Sequence, residues 1–243
     1  HRIARRQRQM CIRDRNVPVY LYGFASTSDT RKSLSALRKG EYEGLKDRFS
    51  NSTSIHTDDT RMPDFGSTEW NEKSQKSGGI TIGARDILLA YNVNIDDRDP
   101  SVAQQIGSIV RSSGRMLKSP DGSQKFRTKG LLLGVQGMGV PLESHGISQV
   151  SMNLQDYKTT NLHHAFDTID SLCRNMNSAT KGSELVGLVP LDSMLEAGRW
   201  YAGEDLSESE YINVAIERLG LNSISSFVPK ERIIEWAIME REQ

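Results

Sequence analysis

Apolar and polar positions follow two rhythms along this chain, and each rhythm predicts a kind of element. Val17 to Tyr22 alternates β-branched and aromatic residues and stops at Gly23, as a strand does. In the stretch "TRKSLSALRKGEYEGLKDRF", Leu34, Leu37, Tyr42 and Leu45 recur at roughly helical spacing, broken at Gly40. Residues 50 to 61 are a Ser/Thr/Asn/Asp loop, and a second polar loop runs from Pro63 to Gly79 into the β-prone Ile80, Thr81 and Ile82.

Beyond Arg85 the elements become regular. "DILLAYNVNI" reads as a strand. "DPSVAQQIGSIVRSSG" reads as a helix with Asp99 as N-cap, Pro100 in the first turn and Gly114 as its stop. "GLLLGVQGMGVPLE" is a second strand, and "ESHG" suits a hairpin into "ISQVSMNLQDYK". There Ile147, Gln149, Ser151 and Asn153 alternate with Val150, Met152 and Leu154. "TNLHHAFDTIDSLCRNM" is an amphipathic helix capped by Thr160 or Asn161, and "SELVGLVP" is a further strand leading at Pro190 into "LDSMLEAGRWY". Strand, helix, strand, strand, helix, strand is the ferredoxin-like split βαβ order, an α/β fold of the α+β kind with an antiparallel sheet and helices on one face. Two helical stretches, Glu208 to Leu219 and Pro229 to Met239, come after it. The strand and helix at the start of the chain are too little for a second domain and read as the end of one.

Composition narrows the function classes. At 36% hydrophobic and 26% charged, 243 residues can bury a core. The longest apolar runs, such as Ile87 to Ala90 and Leu185 to Pro190, fall far short of the ~20 residues of a membrane span. The expectation is a soluble, cytoplasmic protein. Cys11 and Cys173 are too few for a disulfide framework and have no C-x-x-C spacing, so a reducing compartment and no structural zinc are expected. The net charge of zero hides a basic arm: residues 1 to 15 hold six arginines against one aspartate, and the remainder carries 25 Lys and Arg against 30 Asp and Glu. That arm has no interleaved aromatics, so no nucleic-acid partner is expected, and it reads as a non-native junction.

Catalytic signatures are scarce. His56 lies in a polar loop, His145 in the hairpin turn, and His163 and His164 in a first helical turn, with no H-E-x-x-H or comparable metal spacing. No serine sits in a G-x-S-x-G elbow, and Cys173 falls on the buried side of its helix. "GVQGMG" lies inside a strand, which removes a phosphate-loop reading. Gly137 and Gly139 bare one sheet face to a ligand or to a packed helix. Gln149, Ser151 and Asn153, with Asn92 and Asn94, form polar stripes that read either as a solvated face or as one receiving a polar planar ligand. In the loop, Gly66 and Gly78 or Gly79 permit special backbone conformations, Asp64 can cap amides, and Trp70 offers a flat surface among hydrogen-bonding residues.

The segments "VPVYLYG", "LRKGEYE", "PDFG", "GAR" followed by "LLAYNVN", "SQVSMNL", "GSELVGLVPL", "RLGL" and "PKERIIEW" together resemble the glutamate formimidoyltransferase family, from Val17 almost to the end. The resemblance implies two α/β subdomains with folate in the cleft between them, residues 16 to 84 ending the first and 85 to 243 forming the second. It implies transfer of a formimidoyl group between N-formimidoyl-L-glutamate, or L-glutamate as product, and tetrahydrofolate as co-substrate, in a homodimer without metal or membrane. Folate binding is carried to Gly66, Ser67, Thr68, Glu69, Trp70, Asn71, Ser77, Gly78 and Gly79, in a loop about three residues longer than the family pattern. Arg38, Arg85, Asn92, Gln149, Ser151, Asn153, Ser183 and Glu184 are candidate substrate contacts, the arginines for carboxylates. The family's catalytic histidine belongs to an "HPRMGA"-like segment, which is absent, so no catalytic residue is named and this fragment is expected to be inactive. A non-catalytic folate-binding module and a 5-formyltetrahydrofolate cycloligase-type activity are the alternatives.

Overall fold

The computed structural model describes residues 16–26, 28–50, 58–203 and 205–241, and the chain divides into two compact units that meet in sequence at residues 85 and 86. The basic arm, Cys11 and His56 lie outside the described residues.

In the first unit, β1 (Val19–Gly23) and β2 (Ile80–Ala84) pair in parallel, Val19 opposite Ile80 and Gly23 opposite Ala84. Among the described residues between them lie a 3-10 turn (Asp29–Arg31) and the short α-helices α1 (Leu34–Leu37), α2 (Leu45–Phe49), α3 (Asp58–Arg61) and α4 (Glu72–Ser77). The helical spacing read across residues 30 to 49 thus yields two single-turn pieces with turns between them. Tyr20, Leu37 and Leu45 form a small core, with Tyr22, Phe49 and Trp70 packed against it.

The second unit is larger. It contains β3 (Leu89–Ile95), α5 (Ser101–Val110), β4 (Arg115–Lys118), β5 (Lys125–Thr128), β6 (Val135–Leu142), β7 (Ile147–Leu154), α6 (Leu162–Asn175), β8 (Thr180–Val186), α7 (Leu191–Ala202), α8 (Glu208–Leu219), α9 (Pro229–Arg232) and α10 (Ile234–Arg241). Its main sheet runs β6-β7-β3-β8, antiparallel throughout, the strand order of the ferredoxin-like split βαβ. The period-2 and period-3.6 rules explain the layering. Leu89, Tyr91, Val93 and Ile95 share one sheet face with Val150, Met152 and Leu154. Buried positions on α5 (Ala103, Ile106, Val110), α6 (Leu162, Ala165, Ile169, Cys173) and α8 (Ile212, Ala215, Ile216, Leu219) recur at helical intervals and join the same core.

Pro100, not Asp99, is the N-cap of α5; Asp99 lies one residue earlier, its carboxylate accepting from the Ser101 backbone N–H at 3.1 Å. The helix ends at Val110, earlier than the sequence suggests, and Gly114 (φ +62°) belongs to the turn after it. The β4-β5 hairpin was not anticipated: both strands are four residues long and mostly exposed, so neither carries a burial rhythm.

Candidate functional site

Asp64 anchors the start of the polar loop. Its carboxylate accepts from the Leu21 backbone N–H at 2.7 Å and pairs with Arg31, while Val19 exchanges backbone hydrogen bonds with Phe65 and Asp64. Gly66 adopts φ +87°, and a Cβ there would lie 2.0 Å from the Val17 carbonyl oxygen, so close approach of the loop to the strand lead-in demands glycine. Gly78 adopts φ +65°, whereas Gly79 has no such constraint and sits against the Tyr20 ring.

Between the glycines the segment is more structured than a loop of free hydrogen-bonders. Asn71 caps α4, its Oδ1 accepting from Lys73 N and Ser74 N at 3.0 and 3.1 Å, with Ser74 Oγ accepting in return from Asn71 N. Ser67 is buried and its hydroxyl donates to the Glu69 carbonyl. Trp70 is half-buried, its ring 6.0 Å from and nearly parallel to that of Phe49 and 6.2 Å from Tyr42. The side chains of Ser67, Trp70 and Asn71 therefore serve the unit's own packing and capping, because a small core draws on every flat or polar group nearby. Thr68, Glu69 and Ser77 are exposed.

A cavity of about 350 Å³ adjoins the end of this loop. It is lined by Ser77, Gly78 and Gly79, by Arg38, Glu41 and Tyr42, and by Tyr20 and Arg48 beneath. Arg38 pairs with Glu41 at 2.8 Å on the surface. Arg48 is buried, donates to the carbonyls of Leu37, Lys39 and Thr60, and lies 5.2 Å from the Tyr20 ring centre. Burial lowers its pKa and raises that of Tyr20. Neither Arg48 nor Tyr20 was singled out in the sequence; the signal was the Leu45-x-x-Arg48 spacing, which puts a cation on the apolar face of a helix.

The second unit carries the other set. Asn92, Gln149, Ser151, Asn153 and Glu184 share the sheet face opposite the core, brought together by the pairings Asn92–Ser151, Asn94–Gln149, Ala90–Asn153 and Asn92–Glu184. They are hydrogen-bonded: Gln149 Nε2 donates to Asn94 Oδ1 at 2.7 Å and to Glu184 Oε2 at 3.3 Å, Asn92 Nδ2 reaches the same Oε2 at 3.4 Å, and Asn94 Nδ2 donates to Ser223 Oγ at 2.9 Å. Ser183 does not belong with them. It pairs with Val93, so it points to the core side, is fully buried, and donates to the Leu219 carbonyl at 2.6 Å. Arg85 is exposed in the segment between β2 and β3, away from this array in sequence and in neither cluster.

Gly137 and Gly139 face the core, where a helix packs. A Cβ on Gly139 would fall 2.0 Å from the Gln104 nitrogen, and a Cβ on Gly107 would fall within 2.9 Å of Met138 and Gly139 backbone, so these glycines serve the contact of α5 with β6. Of the described histidines, His145 and His164 have hydrogen-bond partners, and the buried His163 Nδ1 has none. His145 Nδ1 lies 2.9 Å from Ser144 Oγ in the exposed turn. His164 Nδ1 accepts from the Asn161 N–H at the helix cap. His163 is 2% exposed and stacked on Trp200 at 5.0 Å, and burial pushes its pKa down to about 4. Burial also raises the Cys173 thiol to about 11, which disfavours the nucleophilic thiolate. Among the described residues no group of three or more His, Cys, Asp or Glu is placed to hold a metal ion, and no helix is long and apolar enough to cross a membrane.

A split βαβ unit preceded by a smaller α/β unit, with glycine-anchored and polar-sheet surfaces, defines the class. The chain belongs to the formiminotransferase family: the formiminotransferase domain matches residues 90–239 and its N-terminal subdomain residues 1–85. Among its relatives, the formimidoyltransferase-cyclodeaminase of Dictyostelium discoideum is 37% identical over 228 residues, covering 92% of this chain and 39% of that protein. The formimidoyltransferase-cyclodeaminase of Mus musculus is also 37% identical, over 235 residues, covering 95% and 40%. The glutamate formimidoyltransferase of Streptococcus pyogenes serotype M1 is 29% identical over 200 residues, covering 82% and 58%. The chain thus spans well under half the length of the first two and 58% of the third.

Proposed function

We propose that this protein serves the transfer of a formimidoyl group between N-formimidoyl-L-glutamate and tetrahydrofolate. The observation that carries the reading is the family match along both units; the relatives' names speak of formimidoyl transfer and, in one, of glutamate, and tetrahydrofolate as the other partner is part of the proposal. Residues 16–84 are taken as the end of the N-terminal subdomain and 85–243 as the second subdomain. The Gly66–Gly79 segment, with the adjoining cavity at Arg38, is the proposed folate surface, and the polar sheet face of the second unit is a substrate surface.

In such a transfer a folate amine attacks the amidine carbon and forms a new C–N bond. The tetrahedral adduct collapses by breaking the C–N bond to glutamate, whose nitrogen leaves as an amine after gaining a proton. Both steps need the reactants held in register and a group to carry that proton. The placement of His145 in an exposed turn, of His163 buried against Trp200 and of His164 in a helix cap supports the further proposal that the described residues bind substrate without supplying the shuttle. The same observation favours a second reading, a folate-binding module without transfer activity.

Calorimetric titration with 5-formyltetrahydrofolate tests the binding half. The expected result is saturable binding that Arg38→Glu weakens by about tenfold or more, as loss of a charge-assisted contact would. Binding indifferent to Arg38→Glu removes the cavity from the reading, and no binding by the folded chain removes the folate surface. A transfer rate abolished by changing His145, His163 or His164 would overturn the view that these histidines are spectators.

A further inference from the structure

We propose that the Glu184 carboxylate anchors a planar N–C–N donor edge, two N–H groups borne on one carbon, on the polar face of the main sheet. Two sources offer that edge: the amidine of a formimidoyl group and the aminopyrimidinone end of a reduced pterin. The proposal deepens the transferase reading and rests on it for the choice of probes.

Donor supply around this side chain falls short of its demand. An ionised carboxylate offers about four acceptor sites. Glu184 is half-buried, and Oε2 receives two long bonds, from Asn92 at 3.4 Å and Gln149 at 3.3 Å. The Gln149 amide is committed more strongly to Asn94, at 2.7 Å. Among the described residues no lysine or arginine lies within ion-pair distance of Glu184. A part-exposed carboxylate with two long protein donors and no counter-charge keeps acceptor sites that solvent fills until a ligand donates to them.

The surroundings make it a fixed acceptor. Gln149 is 4% exposed and Asn94 fully buried, and Asn94 is tied to Ser223, whose hydroxyl donates to the Ser183 carbonyl at 3.2 Å. This chain of amides backs Glu184 along three neighbouring strands and a loop, so the carboxylate has little freedom to swing away. Asn92 and Ser151 beside it are partly exposed, and Asn153, Met138 and Val186 are exposed on the same face. The site is open to solvent on one side and offers both polar and apolar flanks to a flat group.

Geometry selects the ligand class. A carboxylate meets paired N–H groups in a bidentate fork, as in arginine–carboxylate pairs, and an amidine or aminopyrimidinone presents the same fork. A lone ammonium could use only one oxygen well. A cation of the calcium or magnesium type needs several oxygen ligands, and Glu184 is the one carboxylate among the face residues named.

The test uses the whole chain and its Glu184→Gln variant, which keeps the shape but replaces one acceptor oxygen with an NH2 donor. Calorimetry is run with three probes: 6-methyltetrahydropterin, N-formimidoyl-L-glutamate and L-glutamate. The last has the carboxylates but no N–C–N edge. The expected result is a loss of about tenfold or more for one of the first two, with L-glutamate unaffected. Selective loss of the pterin assigns the edge to the folate ring, and selective loss of N-formimidoyl-L-glutamate assigns it to the amidine. A folded variant that binds both as the parent does, or a folded parent that binds neither, overturns the proposal. If thermal melts show Glu184→Gln to be unfolded, Glu184→Asp takes its place; it keeps the charge one methylene back, and the expected loss is smaller but in the same probe. Failure to bind 5-formyltetrahydrofolate while a probe remains Glu184-dependent would sink the transferase reading and leave this one standing. Folate binding that is indifferent to Glu184, with both small probes unchanged, would do the reverse.

Discussion

In the first unit a charged side chain, Arg48, sits inside, held by three backbone carbonyls and an aromatic ring; in the second, Asn92, Asn94, Gln149 and Glu184 sit on the sheet face opposite the apolar core. The small unit centres its core on Tyr20, Leu37 and Leu45 alone, so it recruits Arg48, Ser67, Trp70 and Asn71 to hold itself together. The large unit has a continuous core from Leu89 to Ile233; on the opposite sheet face Asn94 and Gln149 are buried and bonded, while Asn92, Ser151, Asn153 and Glu184 stay partly or fully exposed. Residues that could touch a ligand are therefore entangled with the core in the first unit and lie on the outer edge of a buried amide network in the second.

The sharpest way to break this contrast is in the apolar core. Ile106→Ala, at a fully buried position on α5, is expected to destabilise the second unit by about 4 kcal/mol, read by hydrogen exchange in β3 and β7. Protection in the first unit should be unchanged; a parallel loss there would mean the two unfold as one. Acid comes next. His163 is depressed in the folded state to about 4, so folding is favoured above the ordinary histidine pKa and weakens as pH falls from about 6.5 towards 4. A denaturant series should show on the order of 2 kcal/mol lost across that window, and His163→Gln should flatten it. In the first unit, Arg48→Met is expected to cost about 2 kcal/mol by orphaning the Leu37 and Thr60 carbonyls, measured by protection of β1 and β2. The smallest effect is Asn71→Ala, about 1 kcal/mol through loss of the α4 cap, and an undetectable change there would argue that the cap is dispensable.

The same contrast explains what was readable. The split βαβ order and the cap at Asn161 could be read because the rhythms and cap residues are local, while the start of α5 falls one residue later than Asp99 would put it. The stripes of Asn92 with Asn94 and of Gln149, Ser151 and Asn153 follow from alternation, whereas Glu184 is a candidate only through the family resemblance; strand pairing puts it on the same face. Ser183 was misplaced because strand parity, not residue type, decides the face, and a register shift between Val93 and Ile95 complicates that parity. The enclosure of Trp70 and Arg48 was harder to read, and for Arg48 only its spacing from Leu45 signals it: whether a flat ring or a cation is free or enclosed depends on partners well separated along the chain, such as Phe49 and Thr60. The β4-β5 hairpin offered only its "SPDG" turn, with no buried face to mark the strands.

The edges of the main sheet have a consequence for synthesis. Pro141 blunts β6, while β8 is covered by later segments of the chain: Ser183 N–H donates to the Gly220 carbonyl, Gly182 lies so close that a Cβ would fall 2.6 Å from that oxygen, and Val189 bridges to Ile233. All four strands exist once residue 186 has left the ribosome, yet one border stays bare until residue 220, and the segment beyond it, emerge. Nascent chains stalled in that interval would carry an unshielded strand ready to pair with a neighbour, and the last helices act as the stopper that ends this vulnerable period.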